Sequence, residues 1–289
     1  VDRVRQSLRS AGLRRTASRH VRSGVLSGRE ADVLALVATG LALGLPAPNA
    51  PVPTAAAPLA ARLAQTRRAL ETAIDRRDTT RPPPRDVTLL ALYEQRVVRV
   101  LGERPALARA VVRLEPDIAG DVAARVDLRS LVAAGPVPRS SAKLGPAAPA
   151  ARLLRWYREA GRRFRIRWQL LAAVNFVESA FGKVRNVSTA GAQGPMQFEP
   201  ATWRAYGLGG DVHDPHDAIL GAANYLAANH GVTRERDALY HYNPSSLYVD
   251  AVRRYANRMA HDRHAFFRYY SWQVFVRTPA GPRRVTGPR

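Results

Sequence analysis

The chain contains no cysteine, which excludes disulfides and thiolate metal sites but leaves an oxidising compartment open. Lysine is nearly missing as well, since Lys143 and Lys183 are the only two in 289 residues. The net charge of +22 is therefore carried almost wholly by arginine. A composition rich in alanine and arginine and poor in lysine is as readily a coding bias as a selected surface, so the charge alone names no partner. The stretch Val33–Leu45 is apolar over only thirteen residues, too few to span a bilayer as a helix, and no stable membrane span is expected. No phosphate-binding loop and no dinucleotide fingerprint is present. The seven histidines form no zinc motif. His213 and His216 flank Asp214-Pro215 and are expected to be a solvated loop pair, so neither metal nor cofactor is anticipated.

Aromatic residues are scarce in the first half. Every Trp and Phe, and every Tyr except Tyr93, lies after residue 150, and because large rings bury the most area the rigid core is expected there. Composition divides the chain accordingly. Residues 1–55 hold a basic lead, the apolar run and a Pro/Ala-rich stretch, which together suit a secretion signal more than a buried helix, although Glu30 and Asp32 beside the run count against a signal. Residues 56–134 carry Ala, Leu and Val at helical spacing and are expected to form a small helical region, packed on the rest or as a loose bundle. Within it, Pro82-Pro83-Pro84 ends one helix and Asp86 caps another, whose stripe is Leu89, Leu90, Tyr93, Val97 and Leu101. Residues 135–150 are rich in Pro, Gly and Ser and read as a linker. Residues 151–277 form the main domain, and 278–289 a flexible tail. In the main domain Pro200 and Pro215 suit helix starts, Gly231 a helix end, Ser246–Arg268 one long helix, and Trp272–Val276 a short closing strand or an extended tail.

The most informative stretch is Glu178-Ser179-Ala180-Phe181-Gly182, followed by Ser188 and then by Gly191 to Phe198. Leu171, Val174 and Glu178 fall at i, i+3 and i+7 on one face of a helix beginning near Trp168, which brings Glu178 to the edge of the core at the helix C-terminus. Burial and the negative end of the helix dipole both disfavour its ionised form, so its pKa should rise toward neutrality. A carboxyl group held protonated there is suited to donating a proton to a leaving oxygen. The glycines after it allow a loop to press its amides against a ligand.

Glu178-Ser179, Ser188, Gly191-Ala192, Gly194, Met196-Gln197 and Pro200-Ala201-Thr202 resemble the signature of the lytic transglycosylase catalytic domain, a goose-type lysozyme-like fold that cleaves bacterial peptidoglycan. Three further blocks follow in the family's order: Asp214 to Leu226, Ala238 to Asn243, and Tyr248-Val249. Together they cover roughly 100 residues. The pattern departs at Pro195, where leucine is usual, at Phe198, at Pro244-Ser245, and at Glu199, where an apolar residue is usual.

The resemblance implies a mainly α, lysozyme-like catalytic domain preceded by the small helical region. It implies Glu178 as the catalytic acid/base. Ser188, Gln193, Met196, Gln197, Phe198, Tyr242 and Asn243 are the implied substrate-binding residues, with Tyr242 near Glu178. The implied reaction cuts the β-1,4 bond between N-acetylmuramic acid and N-acetylglucosamine and leaves a 1,6-anhydro end. The alternatives are a hydrolytic muramidase pairing Glu178 with Glu199, and a wall-binding protein without chemistry. Expected partners are glycan strands and, through the basic charge, anionic wall polymers; nucleic acid is not expected, because Arg162, Arg163, Arg165 and Arg167 beside Phe164 and Trp168 belong to no nucleic-acid motif. A monomer that is secreted or held in the cell envelope is anticipated, and residues 151–277 are expected to suffice for activity.

Overall fold

Apolar side chains at three- and four-residue spacing close into helices along nearly the whole of the region that the computed structural model describes, residues 44–134 and 142–288. The basic lead and almost all of the apolar run at Val33–Leu45 lie outside the described residues, as do residues 135–141 of the expected linker. The elements are α1 (Ala56–Arg76), α2 (Arg85–Glu103), α3 (Pro105–Leu114), a 3-10 turn (Pro116–Ile118), α4 (Ala119–Ala134), α5 (Ala150–Phe164), α6 (Trp168–Ser179), α7 (Pro200–Tyr206), α8 (Pro215–Ala228), α9 (Glu235–Tyr242), α10 (Ser246–His261) and α11 (Ala265–Ser271). An antiparallel hairpin follows, β1 (Phe275–Thr278) with β2 (Gly281–Arg284), in register Phe275 opposite Arg284. The fold is mainly α, as expected. No helix among the described residues is long and apolar enough to cross a membrane.

Helix α6 is the axis of the fold. Leu170, Leu171, Ala172, Ala173, Val174 and Asn175 are all buried, so the helix is enclosed on nearly every side by α5, α8, α10 and α11 rather than covered on a single face. At its C-terminal end Phe176 stacks on Phe181 and Tyr269 and meets the edges of Tyr255 and Trp272, with ring centroids 4.9 to 5.8 Å apart. This aromatic cluster fixes where the last turn of α6 points.

The N-terminal helices share this interior. Arg67 of α1 pairs with Glu94 of α2 at 2.7 Å and with Asp121 of α4 at 3.3 Å. Arg268 of α11, fully buried, reaches Glu94 at 3.4 Å, Glu71 at 3.3 Å and Asp262 at 3.1 Å, while the Tyr269 hydroxyl donates to Asp121. Gln95 bonds the backbone of Gln273 twice. Helix α4 lies along α10, and Arg254 pairs with Asp127 between them. Residues 56–134 are thus helical and built into the packing of the C-terminal part.

Several elements differ from expectation. Asp86 does not cap α2: Pro84 holds the cap position and Asp86 accepts from Val87 within the first turn. The expected single helix from Ser246 to Arg268 is broken at Asp262, whose carboxylate accepts from the His264 amide and pairs with Arg258 and Arg268. The tail expected to be flexible from residue 278 contains β2. It is held beyond it by Val285 donating to the Val274 carbonyl and by Thr286 donating to Gln273 Oε1. Lys183 Nζ donates to the Tyr270 and Trp272 carbonyls at 2.5 and 2.8 Å, tying this terminal segment to the turn after α6.

Candidate active site

Helix α6 ends abruptly. Ala180, Phe181 and Gly182 follow one another with φ of 52°, 65° and 82°, a left-handed run in which only the third residue is glycine. Two side-chain-bearing residues in that region are a local cost that the surroundings must impose. What imposes it is visible. The Ser179 hydroxyl donates to the Pro195 carbonyl at 2.6 Å and accepts from the Gly182 amide at 2.8 Å. Asn175 donates to the same carbonyl at 2.7 Å and accepts from the buried Tyr157 hydroxyl at 2.5 Å. The helix end and the 191–198 loop are clamped together, leaving Glu178 on the last turn at their junction.

Glu178 is half-buried, and its Oε1 accepts from the hydroxyl of Tyr248 at 2.6 Å. Loss of hydration raises its pKa to about 7, against a smaller opposing effect of the Tyr248 hydrogen bond, which favours the charged form. Burial and that one hydrogen bond together account for the shift. The charge of Glu178 in turn adds to the burial that raises the phenols of Tyr242 and Tyr248 well above their ordinary range, so both stay neutral hydrogen-bonding groups.

The loop residues divide by orientation. Ser188 is exposed, its Oγ accepting from the Ala192 amide at 2.9 Å to close the turn that carries it. Gln193 pairs backbone to backbone with Phe198, and both Gln193 and Gln197 are half-buried. Gln197, at φ 52°, donates from Nε2 to the Asn186 and Gly194 carbonyls. Gly194 admits no side chain, because a Cβ there would lie 2.0 Å from the Val212 carbonyl oxygen. The side chains of Met196 and Phe198 point into the core, with exposures of 0% and 3%. Met196 presents its carbonyl to the Tyr242 hydroxyl at 2.7 Å, and Phe198 packs against Trp203 and Tyr242. Their side chains therefore shape the loop from beneath. Tyr242 and Asn243, both half-buried, end α9; the Asn243 amide donates to the Leu239 carbonyl.

Glu178, Tyr242, Tyr248 and the Met196 carbonyl thus come together from α6, α9, α10 and the loop. Tyr248 is the residue that sequence reasoning left without a role: it was visible in the Tyr-Val block, but its partner lies 70 positions away. Glu199 stands apart, exposed at the cap of α7 and making no capping bond. His216 stacks on Trp156 and contacts Glu159 at 3.1 Å, and no group of three or more metal-ligating side chains is found among the described residues.

Residues 155–264 match the family model described as the Transglycosylase SLT domain. No curated protein and no solved structure matches the chain. The matched segment runs from within α5 to the start of α11 and holds Glu178, the loop and both tyrosines. Residues 155–264 therefore form a transglycosylase SLT domain, the catalytic domain of the lytic transglycosylase family, and this segment supports a peptidoglycan-directed function.

Proposed function

We propose that this protein is a peptidoglycan lytic transglycosylase that cleaves the β-1,4 bond between N-acetylmuramic acid and N-acetylglucosamine, with Glu178 as its single general acid/base. The observation that carries this reading is the environment of Glu178: a carboxyl group on the wall of a loop-lined junction, poised near neutrality by burial and held by one phenol. A group with a pKa near the working pH is present in both forms, which suits a residue that must give a proton and then take one back.

In the forward step Glu178 donates its proton to the glycosidic oxygen, and the bond from muramic carbon 1 to that oxygen breaks. The leaving N-acetylglucosamine departs with a free 4-hydroxyl. The substrate's acetamido oxygen stabilises the electron-poor carbon 1. The muramic 6-hydroxyl then attacks carbon 1 and gives its proton to Glu178, restoring the acid. One carbon–oxygen bond is broken and one formed, and no water is consumed. Tyr248 would hold Oε1, leaving Oε2 to carry the proton. Ser188, Gln193, Gln197, Tyr242 and Asn243 would border the bound sugars. Met196 and Phe198, turned inward, would act by setting the loop's shape.

A two-carboxylate hydrolysis needs a second acid flanking the bond. The exposure of Glu199 at the cap of α7 favours the one-acid route. The site of action would be extracytoplasmic, where peptidoglycan lies. Mass spectrometry of a digest of purified peptidoglycan tests the reading. Products one water lighter than hydrolytic fragments, with no reducing muramic end, are expected; ordinary reducing ends would overturn the transglycosylase reaction.

A further inference from the structure

We propose that an arginine-lined cavity beside Ser188 binds the carboxylate groups of the peptide stem carried by the glycan strand. The cavity, of about 990 Å³, is enclosed by α2, α4, the 184–189 loop and the terminal hairpin. Arg99, Arg125, Arg129 and Arg277 line it, with Glu103 as the one acidic side chain among its lining residues. None of the four arginines makes an ion pair or side-chain hydrogen bond among the described residues; Arg99 and Arg125 are half-buried and Arg129 and Arg277 exposed.

Two of the four are held in place without an anion. The Arg99 guanidinium lies over the Phe275 ring at 4.1 Å. Arg125 rests its stem against Gly102, so close that a Cβ on that glycine would meet it at 2.8 Å, and its Nε is buried with no partner. Burial and the charge of Arg125 pull Arg99 down to about 10. Pre-placed, partly desolvated guanidiniums favour a carboxylate strongly, because paired N–H donors match its two oxygens and little ordering is left to do.

Position selects the source of the anion. Ser188 lines the cavity, and the loop carrying it is fastened to the candidate cleft by Gln197 donating to the Asn186 carbonyl. Cavity and cleft therefore share one wall. A group entering the cavity while a muramic unit lies at Ser188 is a substituent of that unit, and the stem peptide is the one that bears carboxylates. Val184 and Val274 add apolar lining suited to short aliphatic side chains. Except for the loop, the walls come from residues outside the matched segment 155–264, which gives α2, α4 and the hairpin a task in substrate choice.

This inference rests on the glycan-cleaving reading above, and its test is separable from it. The full chain is assayed on glycan strands with intact stems and on the same strands stripped of peptide by an amidase. For Arg125→Gln/Arg129→Gln, the ratio of kcat/KM on intact strands to that on stripped strands should fall about tenfold or more, mainly through KM. Should the loss of Arg125 disturb its packing on Gly102, Arg129→Gln/Arg277→Gln, both at exposed side chains, is read the same way. An unchanged ratio in variants that melt like the parent would overturn the proposal. Binding by Glu178→Gln should favour intact over stripped strands and should be competed by the free stem peptide. Equal binding, or competition only by poly(glycerol phosphate), would also overturn it. A parent protein that cleaves neither strand would sink the catalytic reading instead, while the binding preference would still report on the cavity.

Discussion

Glu94 and Asp121 at one place, and Glu178 at another, are carboxylates withdrawn from water, and the two places are built in different ways. Around Arg67 and Arg268, the acids Glu94 and Asp121 are surrounded by guanidiniums and a phenol, and the charges hold three N-terminal helices to α11. Around Glu178 burial comes with one phenol and, among the described residues, no ion pair. In the first place buried acids are partners in an ion network. Burial pushes Asp121 up as it does Glu178, but Arg67 and Tyr269 hold Asp121 in the network; in the second place burial raises the acid to about 7 with no ion pair to hold it ionised. The difference separates a cluster that organises structure from a group prepared for proton transfer.

Breaking the second place should have the largest effect. Glu178→Gln keeps shape and removes proton exchange, so cleavage measured by release of soluble muropeptides should fall by about 10³-fold or more, since one group serves both steps. The same variant has a signature in stability. A folded pKa near 7 lies above the unfolded value, so the native state binds the extra proton between those two values and the parent loses stability as pH rises from about 4.5 through 7. Glu178→Gln removes that loss. Urea melts at pH 4.5 and 7.5 should show the variant gaining about 2–3 kcal/mol on the parent between the two conditions.

Breaking the first place should cost the fold and spare the chemistry. Arg268→Met leaves Glu94 with one guanidinium instead of two and takes the ion pair of Glu71 away, and should destabilise by about 3 kcal/mol, read by chemical denaturation, with the activity per folded molecule retained. The same network bears on truncation: a fragment of residues 151–277 alone would leave Arg268 without Glu71 and Glu94 and Tyr269 without Asp121, and it is expected to be unstable rather than self-sufficient.

Smaller changes sharpen the contrast. Tyr248→Phe removes the hydrogen bond that favours ionised Glu178, so the alkaline limb of the kcat/KM profile should move to higher pH by up to about one unit, with a rate loss of about tenfold from poorer orientation. Glu199→Gln alters an exposed acid without a cap bond and should change turnover less than about twofold; a loss of 10²-fold would restore the two-carboxylate mechanism.

The helical class, the position of Glu178 at the end of an apolar helix and the helix starts at Pro200 and Pro215 were legible in the sequence, because each depends on spacing within a few residues. The boundary at Asp262 was not, since its side chain ends α10 through pairs with Arg258 and Arg268 that also depend on how α11 packs. The order in 278–288 was hidden for a similar reason: β2 is held by β1 and by Gln273, and nothing local in Gly281–Arg284 announces a strand.

What the sequence determined by itself is therefore the chemistry available: one acid at a helix end, a glycine-permitted loop behind it, and arginines in excess over acids. Which of those charges are buried and which partner each one meets was decided only by the tertiary structure. Arg67, Glu94, Asp121 and Arg268 read as ordinary charges of amphipathic helices until four helices bring them together, and Arg99, Arg125, Arg129 and Arg277 read as composition until they face one cavity. The physical reason is that the free energy of a charge depends on its surroundings in three dimensions, on water removed and on opposite charges brought near, and neither quantity is a property of neighbouring positions in the chain.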